Sequence, residues 1–357
     1  MLRLEARATP SALMAALSPL LAVLLTVLCG ALLFAAVGKD PLAGLSMFFV
    51  EPMRGLRAWS ELGVKMAPLL LVAVGLALCF RANVYNIGAE GQLVLGAIAG
   101  GAAGLWLDAR GLTGPGALAL MLAAGMGGGM AWAAITALLR DLFNASEILV
   151  SLMLVYIAQL LLSYLVHGAL MDPDGFNFPQ SKMLPEALLL PVVVDGTRLH
   201  LGIVFALAAA AGGCLYLSKS IAGFGLRVAG MAPLAARYAG FSSRKALWSA
   251  LLACGALAGL AGVCEVAGPI GQLTSSVSPG YGFAAIIVAF VGRLHPVGAI
   301  FGSFVMALFY IGGELAQSRL GMPQAITGVF QGILLFALLG CDVLIRHRLR
   351  FNMKREK

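Results

Sequence analysis

Long apolar runs recur from one end of this chain to the other, and they constrain the fold more than any other feature. A helix crossing a bilayer needs about 20 largely apolar residues. Runs of that kind cover approximately 13–37, 61–80, 88–107, 115–139, 146–169, 199–217 and 246–265. Three less regular segments follow near 283–292, 297–312 and 323–341, the first too short to span unless preceding residues lengthen it. Hydrocarbon offers no partner to a free amide, so a chain built this way is confined to helices that close their own hydrogen bonds. The expected fold class is all-α: a polytopic transmembrane bundle of about ten helices, some broken, forming a single membrane domain over 1–357.

Polar material is too scarce for a soluble domain. Hydrophobic residues make up 61% of the chain and charged ones 11%, against roughly 45–50% and about 25% in ordinary soluble domains. The net charge of +8 could suggest nucleic acid. Here, however, the cations sit in short segments between apolar runs, which is a topology signal and not a nucleic-acid-binding face. Cys29, Cys79, Cys214, Cys254, Cys264 and Cys341 lie in or at the ends of apolar stretches without a CxxC pair, so they read as small helix residues and no metal site is expected. Arg3 and Arg7 before the first run resemble a signal peptide, but that run is longer than the roughly 7–15 residues of a signal core, and an uncleaved first span is expected.

Charge gives an independent test of the crossings. An even number puts both termini on one side with the segments around Arg81, Arg140, 218–245 and Arg293. That side holds 16 of the 24 Lys and Arg, including Lys219, Arg227, Arg237, Arg244, Lys245 and the tail residues Arg346, Arg348, Arg350, Lys354, Arg355 and Lys357; the other holds 8. By the positive-inside rule the termini and 218–245 are cytoplasmic, and the Pro-rich segment 170–198 is an irregular external cap.

Carriers of intrinsic chemistry are missing from the sequence: the single Gly-Lys pair, Gly38 and Lys39, runs into Asp40 and makes no P-loop, and HExxH and GxSxG are absent. Glycines at four-residue spacing, such as Gly96/Gly100/Gly104 and Gly255/Gly259, point to close helix packing. The most polar stretch between apolar runs is Arg81 to Gln92, with Asn83, Asn86, Glu90 and Gln92. It is either a cytoplasmic turn and helix cap or a broken helix whose backbone lines a path through the membrane. A second irregular segment, EVAGPIGQLTSSVSPGYGF from Glu265 to Phe283, interrupts the second half and includes Tyr281. The cytoplasmic segment 218–245 contains a short stretch from Pro233 to Tyr238 with the initial Pro and Ala content of a one- to two-turn helix.

The phrases FRANVYNIGAEGQLVLGAIAG, SEILVSLMLVYIA, GLRVAGMAPLAARYAGF and SPGYGFAAIIVAFVGRLHPVGAIFGS, in that order, resemble the membrane permeases of ABC importers for simple sugars, nucleosides and branched-chain amino acids. The similarity spans roughly 60–340 and is greatest to the nucleoside-type members. It implies a type II-like importer permease in the bacterial cytoplasmic membrane, passing a nucleoside or simple sugar. It also implies a second permease subunit, identical or homologous, an external binding protein, and a separate ATPase subunit that holds the ATP; no cofactor is expected in this chain and no nucleic-acid partner. On this reading the substrate pathway involves Asn83, Asn86, Glu90, Gln92, Glu147, Glu265, Tyr281 and Phe283. Coupling to the ATPase falls to Gly230, Pro233, Ala236, Arg237, Tyr238 and Gly240, although Met231 and Ala232 stand where more polar residues are expected. The competing class is a secondary transporter, in which Glu90, Glu147 or Glu265 binds an ion or proton. A membrane-embedded enzyme would need a catalytic constellation that the sequence does not offer.

Overall fold

The computed structural model describes residues 2–7 and 11–351 of the chain. In order these form β1 (Leu2–Ala6), α1 (Ala12–Ala36), α2 (Pro41–Phe49), α3 (Leu56–Arg81), α4 (Ala89–Ala109), α5 (Pro115–Phe143), α6 (Glu147–Val166), α7 (Gly202–Lys219), α8 (Ile221–Met231), α9 (Pro233–Tyr238), α10 (Ser243–Glu265), α11 (Tyr281–Val291), α12 (Pro296–Leu320), α13 (Ala325–Arg346) and β2 (His347–Phe351). Among the described residues, nine helices are long and apolar enough to cross a membrane, and two shorter apolar helices, α8 and α11, stand beside them. The tail cations Lys354, Arg355 and Lys357 lie outside the described residues.

Local signals set the helix ends. The Ser11 hydroxyl accepts from the Met14 amide to open α1, Ser220 does the same for Gly223 in α8, and Ser242 for Lys245 in α10. Helix α5 starts on Pro115 and stops at Asn144, which takes the left-handed conformation at φ 51°. The hydropathy pattern overlooks α2 because nine residues are too few for a span; yet Asp40, which accepts from the Leu42 amide, and Pro41 at the first helical position mark it plainly. Helix α8 is likewise unforeseen inside 218–245, whereas α9 occupies the stretch the composition picks out.

The described residues divide into two compact units. The first runs to Ala58 and resumes at Leu308. Its core is aromatic: Phe48 stacks on Phe330 at 4.3 Å between ring centroids, with Phe34 at 5.9 Å from Phe48 and Phe309 at 5.7 Å from Phe330. The Ser18 hydroxyl donates to Asp342 at 2.8 Å, and β1 pairs antiparallel with β2, so the two described chain ends lie together.

The second unit, Trp59–Ala307, is built around α3, α4, α5 and α10. From Ala67 to Phe80 every residue of α3 is buried. Helix α10 approaches α4 and α5 backbone to backbone: Gly259 meets Gly96 and Gly125, Gly255 meets Gly129, and Gly262 meets the Leu93 carbonyl. The glycines at four-residue spacing are therefore the contact itself; in lipid, such close van der Waals packing replaces the hydrophobic drive. At one end the segment 170–198 folds down on the chain after α10. The amides of Ser181, Leu184 and Leu190 donate to the carbonyls of Leu273, Gly271 and Ala267 at 2.8, 2.8 and 2.7 Å. The other end gathers Arg81, which donates to the Leu294 carbonyl at 2.6 Å, with the α8–α9 hairpin.

Thr274 pairs with Gln180 in the cap, while Leu294 meets Arg81 at the opposite end. Between them the chain is irregular at first and helical only through α11, about 16 Å or half a span. Lys65 departs from the topology count. Grouped with the eight cations of the outer side, it lies within α3, more than two turns past Leu56.

Candidate functional site

The polar stretch after α3 is a break inside the membrane domain. Asn83 turns the chain with φ 57°, residues 84–87 run without regular structure, and α4 restarts at Ala89. The break reaches Cys254, about 16 Å or three turns along α10, which is near the middle of a hydrocarbon core about 30 Å thick. The turn at Asn83 is exposed at the Arg81 end, and the residues after it descend toward the middle of α10.

There the backbone groups freed by the break find side-chain partners. Asn86 is fully buried, and its amide pairs reciprocally with Gln92: Nδ2 donates to Gln92 Oε1 at 3.1 Å while Oδ1 accepts from Gln92 Nε2 at 3.2 Å. The same group accepts from the Gly88 amide at 3.0 Å and donates to Cys254 Sγ at 3.2 Å. Across the break, the Ile87 amide donates to Ser151 Oγ of α6 at 3.2 Å. With its hydrogen-bonding capacity taken up, Asn86 clamps the start of α4 to α10 and is not open to a solute.

Glu90 makes a different link. Buried to 1% exposure, its Oε2 accepts from the Gly282 amide at 2.6 Å, and the Ser278 hydroxyl and the Gly280 amide also donate to the carboxylate. Those donors are the N-terminus of α11, where a carboxylate satisfies orphan amides and meets the positive end of the helix dipole. A Cβ on Gly282 would strike the Glu90 backbone and lie 2.8 Å from Oε2, so this approach requires glycine. Two interrupted helices from opposite halves of the chain therefore meet tip to tip at Glu90. Tyr281 is buried beside this junction with Lys65 Nζ 5.9 Å from its ring centroid, while Phe283 is 38% exposed.

The structure does not bring all eight pathway candidates together. Glu147, at the first turn of α6, pairs with Arg140 at 3.4 Å and joins Asn83, Asp141, Pro233 and Arg244 around a cleft of about 330 Å³ beside α9. Glu265 ends α10 at 5% exposure, where the helix widens into a π turn over Val266–Ile270.

The coupling candidates also separate. Ala236 is fully buried against Ala229 and Ala246 and pins α9 down, and Gly240 ends the helix with φ 83°. Leu234 and Tyr238 are 76% and 94% exposed, and Arg237 is exposed beside them; Met231, at the end of α8, is 78% exposed, so the departure at that position presents a bare apolar side chain. Gly230 packs directly on the Arg81 carbonyl and Ala82, the point where the break begins. Nearby, Asp141 Oδ2 accepts from Arg244 Nε at 2.7 Å and Trp248 Nε1 at 3.0 Å, tying α5 to α10.

Sequence reasoning missed Lys65, Ser278, Asp141 and Cys254. Lys65 alone carried a local signal, as an ionisable residue inside an apolar run.

Residues 60–339 match the family described as branched-chain amino acid transport system / permease component. A glucose ABC transporter permease protein of Haloferax volcanii is 33% identical, covering 97% of this chain and 93% of its own length. A guanosine ABC transporter permease protein of Bacillus subtilis is 31% identical over 89% of this chain and 91% of its own, and a nucleoside ABC transporter permease protein of Lactococcus lactis 28% over 90% and 89%. No solved structure matches the chain. With nine helices among the described residues long and apolar enough to cross a membrane, and this agreement over most of its length, the chain is a multi-pass membrane protein that belongs to the permease-component family of ABC importers.

Proposed function

We propose that this chain is one of two permease subunits that pass an uncharged, hydroxyl-rich solute, a nucleoside or a simple sugar, inward across the cytoplasmic membrane. A separate ATPase subunit drives the step and an external binding protein delivers the solute. The observation that carries this reading is the meeting of the broken segment with α11 at Glu90, because interrupted backbone at membrane depth is retained where it lines or gates a path. The solutes in the relatives' names, glucose, guanosine and nucleoside, share a neutral, polyhydroxylated character. The α8–α9 hairpin supports an ATPase contact on the cation-rich side, which by the positive-inside rule is the cytoplasm.

The test is uptake of labelled guanosine and glucose into vesicles holding the complete complex. Accumulation that needs ATP inside the ATPase compartment and ignores an imposed proton gradient is expected. Uptake driven by the gradient without ATP would instead make the chain a secondary transporter.

A further inference from the structure

A cavity of about 530 Å³ opens at the Arg81 end of the second unit, where α7, α8 and the head of α10 converge. Tyr216 of α7, Ile221 and Leu226 of α8, Phe241, Ser242 and Lys245 help to line it. Its frame is fixed by local contacts. The Ser220 hydroxyl donates to the Tyr216 carbonyl at 2.6 Å and accepts from the Gly223 amide at 2.9 Å, which sets the corner between α7 and α8. Phe224 meets Phe241 edge to face at 5.8 Å and holds α8 against the chain that leads into α10. Both α7 and α10 are long and apolar enough to span. Tyr216 lies about 5 Å before the end of α7, and Ser249, on the cavity wall, about 10 Å past Ser242 along α10. The polar zone of a bilayer is roughly 5–8 Å thick on each side of its hydrocarbon, so the cavity sits where headgroups meet acyl chains.

The wall joins two kinds of surface. Helix α10 brings Ser242, Lys245, Ala246 and Ser249 to the cavity on one face, while Arg244, on another, is paired with Asp141 at 2.7 Å. No carboxylate lines the cavity to neutralise Lys245, and from Gly202 to Cys264 the sequence has five cations and no Asp or Glu. Ser242 Oγ accepts from the Lys245 amide, which leaves its own proton to donate. Beside these donors Ile221 and Phe224 carry apolar surface outward at 80% and 50% exposure. A soluble anion would meet the donors and leave that surface bare; an occupant with a negative head and an apolar tail covers both. We propose that the cavity is a binding site for an anionic phospholipid of the adjoining leaflet. Its phosphate sits on Lys245 and Ser242, and an acyl chain lies along Ile221, Phe224 and Phe241.

The complete complex, stripped of lipid in a neutral detergent, is titrated with phosphatidylglycerol or phosphatidylcholine, and native mass spectrometry reads the tightest bound lipid. Phosphatidylglycerol should bind at least about fivefold more tightly, the contribution of one cation near a membrane surface. Lys245→Gln should erase that preference and leave phosphatidylcholine unchanged. Ala222→Trp, at an exposed position of the same wall, fills the cavity and should lower retention of both lipids. Equal affinity for the two lipids in the wild type, or wild-type retention in both variants, would overturn the proposal. So would glycerol phosphate binding as tightly as the lipid, which would make this a soluble-anion site. Loss of the ATPase from Lys245→Gln with phosphatidylglycerol retained would make the cavity a partner contact and overturn it as well. Photolabelling of the wild-type complex with phosphatidylglycerol carrying a diazirine beside the glycerol needs no variant to fold. Label within 216–226 or 240–249 is expected, and label confined elsewhere refutes the assignment.

Discussion

Gly230→Ala tests how movement of the exposed hairpin reaches the broken segment. A methyl at Gly230 would lie 2.8 Å from the Ala82 carbonyl carbon and 3.0 Å from its Cα, with the Arg81 carbonyl oxygen closer still. Carbon atoms pack comfortably at about 3.5–4.0 Å, so the methyl intrudes by about 0.5–1 Å. The atoms it meets are backbone and cannot rotate away. The hairpin must therefore back off the end of α3 by a comparable distance, at about 1–3 kcal/mol, the usual cost of overpacking. Asn83, the left-handed turn that starts the break, is the next residue along, so the displacement falls where hairpin movement would have to be passed on. Reconstituted transporter carrying Gly230→Ala should recover its ATPase and hydrolyse ATP, yet lose at least about tenfold in uptake per ATP. Gly212→Ala in α7, where a Cβ meets nothing within 4 Å, is the control and should leave uptake intact. Wild-type stoichiometry in Gly230→Ala would show that the contact with Ala82 is not the route.

Glu90→Ala leaves the Gly282 amide without its carboxylate partner and should lower stability by about 1–3 kcal/mol, read as a lower thermal midpoint; Glu90→Gln should assemble normally but slow uptake, and unchanged uptake in both would remove Glu90 from the transport path. Arg237→Ala with Tyr238→Ala should weaken ATPase copurification by about thirtyfold without unfolding the permease, since both side chains are exposed and only Ala236 anchors α9; full recovery with full uptake would discard α9 as the coupling element. In intact cells an impermeant thiol reagent should label a cysteine placed at Asp174 and spare one at Ser243, and the reverse would invert the topology; Ser181, in the same outer segment, is 1% exposed and unsuited to the purpose. Burial pushes the His200 imidazole, beneath the cap, down to about 4, and its Nδ1 accepts from the Gly202 amide. The folded chain then binds fewer protons than the unfolded one between about pH 6.5 and 4. Stability should fall as pH drops through that window, by up to about 3 kcal/mol, and His200→Gln should flatten the profile of thermal midpoint against pH.

Hydropathy along the sequence was enough to place the spanning helices, because a bilayer imposes one length and one polarity on each crossing whatever its neighbours. The short helix α9 was equally legible, since Pro233 and Gly240 act on backbone geometry within a few residues. The polar interruption after α3 was legible too, because Asn86, Glu90 and Gln92 are too polar to face lipid, but not whether it was a turn outside the membrane or a break within it. What those residues do was not legible, because their partners lie far away in sequence. Cys254 and the α11 N-terminus are more than a hundred residues from the break and are brought to it only when α10 packs, glycine to glycine, against α4. Similar carboxylates had similar sequence surroundings, yet packing took Glu147 to the cleft beside α9, set Glu90 on a helix tip and left Glu265 with an open oxygen near the cap. A local pattern reports what a residue must avoid; only the tertiary contacts, which decide which amides and cations are within reach, determine what it binds.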